Sequence, residues 1–409
     1  MIKDIKNMTK KSLPYSRQTI FKDDIDSITE AIKDDFLTTG SAVSEFEKAF
    51  ADRVNSKYAV SCTSGTAALH LSSMALNIKP NDFVAVPAIS FLSTANAPRY
   101  MGAEVLFIDV DPNNGLISIE DLEKKILELR NKNISAVYPV HLNGQSVDME
   151  RLSDLSKKYG FNILEDACHA LGTEYSSNEK NIINVGSCQH SDISIFSLHA
   201  IKTITTGEGG MITTNNSEYY QKILRARNHG IVQNNSNFIN KKLSMSDDNL
   251  ENPWYYEMHD LGFNYRLTDF QCALGISQLR KLDLFSKKRK ELANFYDKLL
   301  EEYFPHIKPI SKIDNCNPTL HLYAVLIDFE SFNITRAYTM NYLKEKGITT
   351  QVHYIPINKQ PYYTQRYGEI VLKGADNYYK RTLTLPLFPL MNNDDVKYIV
   401  NSLRECLKL

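Results

Sequence analysis

One lysine, Lys202, stands in "FSLHAIKTITTGEGGMITTN" (196–215) between an apolar run and a glycine-rich turn, far from the wet helix face where lysines usually sit. Thirty-six residues upstream, "NILEDACHALG" carries Asp166 and His169, while Ser197 and His199 lie just ahead of the lysine. Nearer the N-terminus, "CTSGTAALH" (62–70) sets Ser64, Gly65, Thr66 and Ala67 at the start of an apolar helix, and "PAISFLSTANA" places Phe91 just past an apolar run. These residue types suit one cofactor, pyridoxal 5'-phosphate. A lysine amine condenses with its aldehyde, and an aspartate keeps the pyridinium nitrogen protonated so that the ring stays an electron sink. An aromatic face stacks on that ring, and a small-residue helix start turns backbone N–H groups and its dipole toward a phosphate. No one of these features is specific, since a Ser-Gly-Thr turn alone is usually just a helix start. Their order and spacing carry the inference.

The elements that must position these groups are legible as alternating strands and helices. Buried strands are expected at 82–90, 103–110, 135–142, 161–166, 192–199 and 209–215, with helices at 118–130, 148–160 and 217–230. Ser118 three residues before Asp121 reads as a capping box, and Gly230 as a helix end. Strands alternating with helices of this length imply an α/β fold, with a largely parallel sheet covered on both faces. In such sheets ligands bind beyond the carboxyl ends of the strands, which is where Asp166, Ser197 and Lys202 fall. From 232 to 258 the pattern dissolves into a polar, Asn-rich stretch expected to be a long functional loop. A long amphipathic helix is expected over 268–304, and beyond it "HLYAVLIDF", "TRAYTMNYLKEKG" and "ITTQVHY" suggest a smaller α+β unit. The expected division is a large domain at 15–280 and a small one at 281–409.

Composition narrows the class. With 47 Lys and Arg against 48 Asp and Glu, nothing argues for a nucleic-acid or anionic-membrane surface. The six cysteines have no metal-ligand spacing and read as reduced buried thiols. "MIKDIKNMTKKSLPYS" has no apolar core and is not a signal peptide, and no run approaches ~18 apolar residues. A cytoplasmic enzyme without metal is the expectation.

The runs "TSGTAALHL", "EDACHALGTEY", "FSLHAIKTITTGEGGMITTN", "RNHGI", "GFNYRLTDFQCALGISQL" and "QVHYIPI…QPYY" resemble the sugar aminotransferases of the DegT/DnrJ/StrS family, from about Tyr15 onward. The resemblance implies the fold-type-I architecture of pyridoxal-phosphate enzymes. "HAIKTITTGEGG" and "VHYIPI" are most similar to transaminases of pseudaminic acid synthesis, which aminate a UDP-4-keto-6-deoxy-N-acetylhexosamine at C4. It assigns Lys202 to the Schiff base, Asp166 to the pyridinium nitrogen, His169 to the ring edge and Phe91 to stacking, with Thr66, Ala67 and Ser197 at the phosphate. Asn264 matches a residue that reaches the cofactor phosphate of a neighbouring subunit, which implies a homodimer with shared active sites. Arg266 lies beside it, and His353 and Tyr354 match a substrate-side segment to which His199 is added. Glutamate is the implied amino donor. Dehydratases of the same family replace the lysine by histidine, so Lys202 favours transamination. Amination at C3, a GDP- or dTDP-linked sugar, or a non-catalytic binding protein on this fold are the competing readings.

Overall fold

In the computed structural model, which describes residues 12–129, 132–303 and 305–409, seven apolar runs come together as one sheet. Two helices, α1 (Lys22–Lys33) and α2 (Ser41–Val54), lead into β1 (Tyr58–Cys62) and α3 (Gly65–Ala75). Then β2 (Phe83–Pro87), α4 (Leu92–Tyr100), β3 (Glu104–Ile108), α5 (Ile119–Glu128), β4 (Ile134–Val137), α6 (Met149–Tyr159) and β5 (Asn162–Asp166) alternate. A short ribbon, β6 (Glu174–Ser176) with β7 (Ile182–Asn184), precedes β8 (Ile193–Ser197), β9 (Gly210–Thr214) and α7 (Ser217–Arg227). The sheet order is β1-β9-β8-β5-β4-β2-β3, with β9 alone antiparallel to its neighbours.

Local chemistry sets the boundaries. Ser118 Oγ accepts from the Asp121 N–H, but the Asp121 carboxylate turns away to the Asp109 N–H (2.8 Å) and to Lys125, so only half of the expected capping box forms. The 135–142 run is strand only to Val137, two residues before Pro139, which lacks an N–H for the ladder. Helix α7 stops at Arg227, and the Gly230 N–H, at φ +72°, folds back onto the Arg225 carbonyl.

One longer expectation is refined and another corrected. The stretch 232–258 is pinned rather than structureless: β10 (Ile231–Val232) pairs with β11 (Glu257–Met258), a turn of helix α8 (Lys241–Ser244) lies between, and the Glu257 carboxylate accepts from the Ile239 and Asn240 N–H groups. The single helix expected at 268–304 is two, α9 (Asp269–Leu279) and α10 (Leu282–Leu300), followed by one 3-10 turn. At the break, Lys281 Nζ donates to the buried Asp24 Oδ1 of α1 (2.9 Å) and to the Ser277 carbonyl (3.0 Å).

The remaining chain adds β12 (Ile307–Pro309), β13 (Cys316–Asn317), β14 (Tyr323–Ile327), α11 (Arg336–Glu345), α12 (Pro361–Tyr367), α13 (Lys373–Arg381), β15 (Thr382–Leu385) and α14 (Asn393–Leu407). An antiparallel sheet β12-β14-β15 forms here, while β13 joins the β6–β7 ribbon. The run 348–354 makes only single bridges, Ile348 to Leu13 and Gln351 to Thr384. Two apolar cores result. One surrounds the large sheet and draws in Ile357, Tyr363 and Tyr378, and the other gathers Leu292, Val325, Leu385 and Leu403 with Leu13. An N-terminal strap joins them: Leu13 pairs with Gly347 and Thr349, the Tyr15 carbonyl accepts from Leu387, and Ser16 Oγ donates to the Ile201 carbonyl at 3.0 Å. Among the described residues no helix is long and apolar enough to cross a membrane.

Candidate active site

Asp166 is the last residue of β5 and is 4% exposed. Its Oδ2 accepts from the Thr94 hydroxyl at 2.6 Å and its Oδ1 from the Cys168 N–H at 3.2 Å. Thr94, in the first turn of α4, is itself buried and shares a hydrogen bond with Ser90 Oγ. A buried carboxylate so held is fixed in direction and offers its charge to the space in front of it.

On the adjacent strand, β8 ends at Ser197 and the chain curls at once, with the Lys202 N–H on the His199 carbonyl (2.9 Å). Lys202 thereby joins Asp166 in one cavity of about 520 Å³, whose wall also holds Ser64, Thr66, Phe91, Ser197, His169 and His353. Burial holds the Lys202 amine below the usual lysine range, against the opposing pull of Cys168 and Asp166. An amine so shifted has more of its neutral, nucleophilic form near neutral pH. His353 donates or accepts at Nδ1 with Thr384 Oγ1 (2.9 Å), and burial, helped by Lys202, pushes its imidazole down to about 3.

The turn ahead of α3 completes one end. Ser64 Oγ caps the helix by accepting from the Ala67 N–H, so Ala67 sits behind the cavity wall with its N–H already engaged. Backbones close tightly here. A Cβ on Gly65 would sit 3.1 Å from Ser197 Cβ and 3.2 Å from Cys168 Sγ, and one on Gly210 would meet the Ser64 carbonyl oxygen at 2.3 Å. A helix N-terminus, two hydroxyls and approach this close make a cradle for a small anion.

Phe91 is 57% exposed, so it is no core filler, and its ring lies 6.1 Å from that of Tyr354. His169 is buried; its Nε2 is 3.2 Å from the Tyr354 hydroxyl, and its Nδ1 has no hydrogen-bond partner. His199 stands at the rim, 3.7 Å from Glu208. Asn264 and Arg266 do not line this cavity: Asn264 is exposed, and the Arg266 guanidinium donates to Asn228 Oδ1. Thr94, Tyr15, Glu208 and His321 belong to the site or its support although nothing in their sequence context gives them a role. The donor set as a whole fits pyridoxal phosphate: a buried anion, a low-lying amine, an exposed aromatic face and an anion cradle open to one cavity. Among the described residues no cluster of His, Cys, Asp and Glu could hold a metal ion.

The chain is similar to known proteins along nearly its whole length. The profile described as the DegT/DnrJ/EryC1/StrS aminotransferase family matches residues 18–404. A Campylobacter jejuni protein named UDP-4-amino-4,6-dideoxy-N-acetyl-beta-L-altrosamine transaminase is 40% identical over 396 residues, covering 97% of this chain and 98% of its own. The spore coat polysaccharide biosynthesis protein SpsC of Bacillus subtilis is 37% identical, covering 97% of each. The structure of Helicobacter pylori PseC, an aminotransferase involved in the biosynthesis of pseudoaminic acid, superposes with a TM-score of 0.86 at 30% identity over 97% of this chain and 100% of that one.

Proposed function

Since the chain belongs to the DegT/DnrJ/EryC1/StrS aminotransferase family, a family dependent on pyridoxal phosphate, we propose that it moves an amino group from glutamate to C4 of a UDP-linked 4-keto-6-deoxy-N-acetylhexosamine. The observation that carries this reading is Lys202 facing buried Asp166 in the cavity beyond β5 and β8, in a chain 40% identical along nearly its whole length to a transaminase named for such a sugar. The product would enter amino-sugar glycan synthesis, as the name of the B. subtilis relative suggests.

The cofactor, when bound, supplies an electron sink that makes the proton on the amino-bearing carbon removable. The protein's share follows from its own groups. Lys202 Nζ would hold the cofactor through its aldehyde and, as a neutral amine, would take up and return that proton. Asp166, its orientation fixed by Thr94, would hold a proton on the ring nitrogen. Phe91 would cover a ring face and His169 the edge, while Thr66, Ser197 and the α3 N-terminus, with Ala67 fixed in its first turn, would bind the phosphate. His353, Tyr354 and His199 face the sugar.

Asn264, outside its own chain's cavity, is assigned to the cofactor phosphate site of a second copy, and Arg266 beside it to the substrate side of the same interface, so the working unit is a homodimer with shared active sites. We place the domain division at 280/281, at the break between α9 and α10, and the enzyme in the cytoplasm. Incubation with glutamate and a panel of 4-keto and 3-keto nucleotide sugars tests the reading. Turnover confined to GDP- or dTDP-linked sugars, or amination at C3, would overturn the substrate, and absence of bound cofactor would overturn the site.

A further inference from the structure

His321 lies just ahead of β14 on the second unit, yet its side chain reaches the cavity and is 1% exposed. Its ring centroid is 4.6 Å from that of His169 at an interplanar angle of 46°, and Nδ1 of each ring has no hydrogen-bond partner. Burial, with Lys202 acting in the same direction, holds both imidazoles well below their ordinary value, so the two rings meet uncharged. Behind His321, the buried Arg289 of α10 donates from Nη1 to the His321 carbonyl (3.0 Å) and to the Leu387 carbonyl (2.8 Å). In front, His169 Nε2 meets the Tyr354 hydroxyl, and the Tyr354 ring lies beside Phe91. A buried histidine is commonly only core filler. This ring, however, packs against a residue that lines the cavity and is held from behind through its own backbone by Arg289, an arrangement that mere filling of the core does not require.

We propose that His321 is a positioning residue of this active site: fastened through its carbonyl by Arg289, it packs its ring on His169 and so fixes the His169–Tyr354 hydrogen bond that shapes the cofactor-facing wall. The inference rests on the roles assigned above to His169, Tyr354 and Phe91. Misplacing such a wall by about 1 Å slows a reaction on the order of 100-fold without weakening donor binding to match.

The test uses the holoenzyme carrying His321→Ala or His321→Phe. Visible circular dichroism of the bound cofactor reads its orientation, and single-turnover kinetics with glutamate give kcat and KM. His321→Ala is expected to lose roughly 10- to 100-fold in kcat with KM within about 2-fold, and to change the dichroism. His321→Phe keeps a ring on His169 and is expected to restore most of both. Wild-type rate and dichroism in His321→Ala would overturn the proposal. So would equal impairment of both variants with unchanged melting, which would make the nitrogen itself the working group. If His321→Ala does not fold, His321→Phe and His321→Gln decide: Phe near wild type with Gln impaired supports ring packing, and the reverse refutes it. A wild-type protein inert toward glutamate would sink the donor assignment, while the dichroism would still read the part played by His321.

Discussion

Gly210 offers the sharpest test of how the site is built. It opens β9, pairs with both Ser197 and Cys62, and passes directly under the Ser64 turn. In Gly210→Ala the new Cβ would lie 2.3 Å from the Ser64 carbonyl oxygen and 2.6 Å from its carbonyl carbon, both backbone atoms that no rotamer change can move. A comfortable contact needs about 3.5 Å, so either β9 or the Ser64 turn must give by roughly 1 Å. Overpacking of this kind costs about 1–3 kcal/mol. With about 2.1 cal/mol/K of unfolding entropy per residue over 409 residues, that is a fall in Tm of only roughly 1–4 °C. The functional cost is larger, because the displaced turn caps α3 and borders the cavity: about 100-fold in turnover, with weakened cofactor retention. Gly207→Ala is the control. Gly207 has φ +82° and open space around its would-be Cβ, so the strain there, about 1 kcal/mol, touches stability and not the cradle. Dialysis followed by visible absorbance measures retained cofactor, and calorimetry measures Tm. Equal cofactor retention in the two variants would refute the claim that close approach at Gly210 shapes the anion site.

Three other outcomes follow from the same geometry. Lys202→Ala should abolish the absorbance of lysine-attached cofactor and turnover while leaving the melting of the apoprotein within about 1 °C, and a retained band would dismiss Lys202 as the anchor. Thr94→Val removes the 2.6 Å donor to Asp166 Oδ2; losing a hydrogen bond to a charged group costs about 1.5–3 kcal/mol, so cofactor affinity should fall roughly 10- to 100-fold in an equilibrium titration, and an unchanged affinity would detach Thr94 from the site. His169, His321 and His353 all bind a proton less readily folded than unfolded, His353 down to about 3. The unfolded chain therefore gains protons first as the pH drops below 6.5. Their contribution is intact above that value and declines below it by about 1.4 kcal/mol per pH unit for each group. Denaturation midpoints followed downward from neutral pH should fall accordingly and recover in part in His353→Phe.

The sheet and the gathering of Asp166, Ser197 and Lys202 at its edge were legible because both rest on local signals. Alternating apolar runs gave the strands; Asp166 and Ser197 end the paired strands β5 and β8, and Lys202 follows five residues past the second, where the parallel-sheet rule puts ligands. The break at Arg280–Lys281 left no mark, since neither residue is a helix breaker; the cause is Asp24, buried 257 positions away and taking the Lys281 ammonium. Thr94 carries no local signal of a role, and only the fold brings its hydroxyl to Asp166. His321 precedes a strand of the other sheet, so the rule that found Lys202 points away from it. In the stretch 232–258, polarity read as a long loop without regular elements to place, whereas Glu257 uses that polarity to accept from two backbone N–H groups.

The strap through Leu13, Tyr15 and Ser16 has a consequence for assembly. Its partners at Gly347, Thr349 and Leu387 are among the later residues to leave the ribosome, and Ser16 also grips the loop that carries Lys202. The wall of the cavity thus closes a loop nearly as long as the chain, late in synthesis and with slowly growing entropic cost. Until that closure the large sheet has its strands but an unfinished pocket, so competence to hold cofactor should appear after the bulk of the secondary structure.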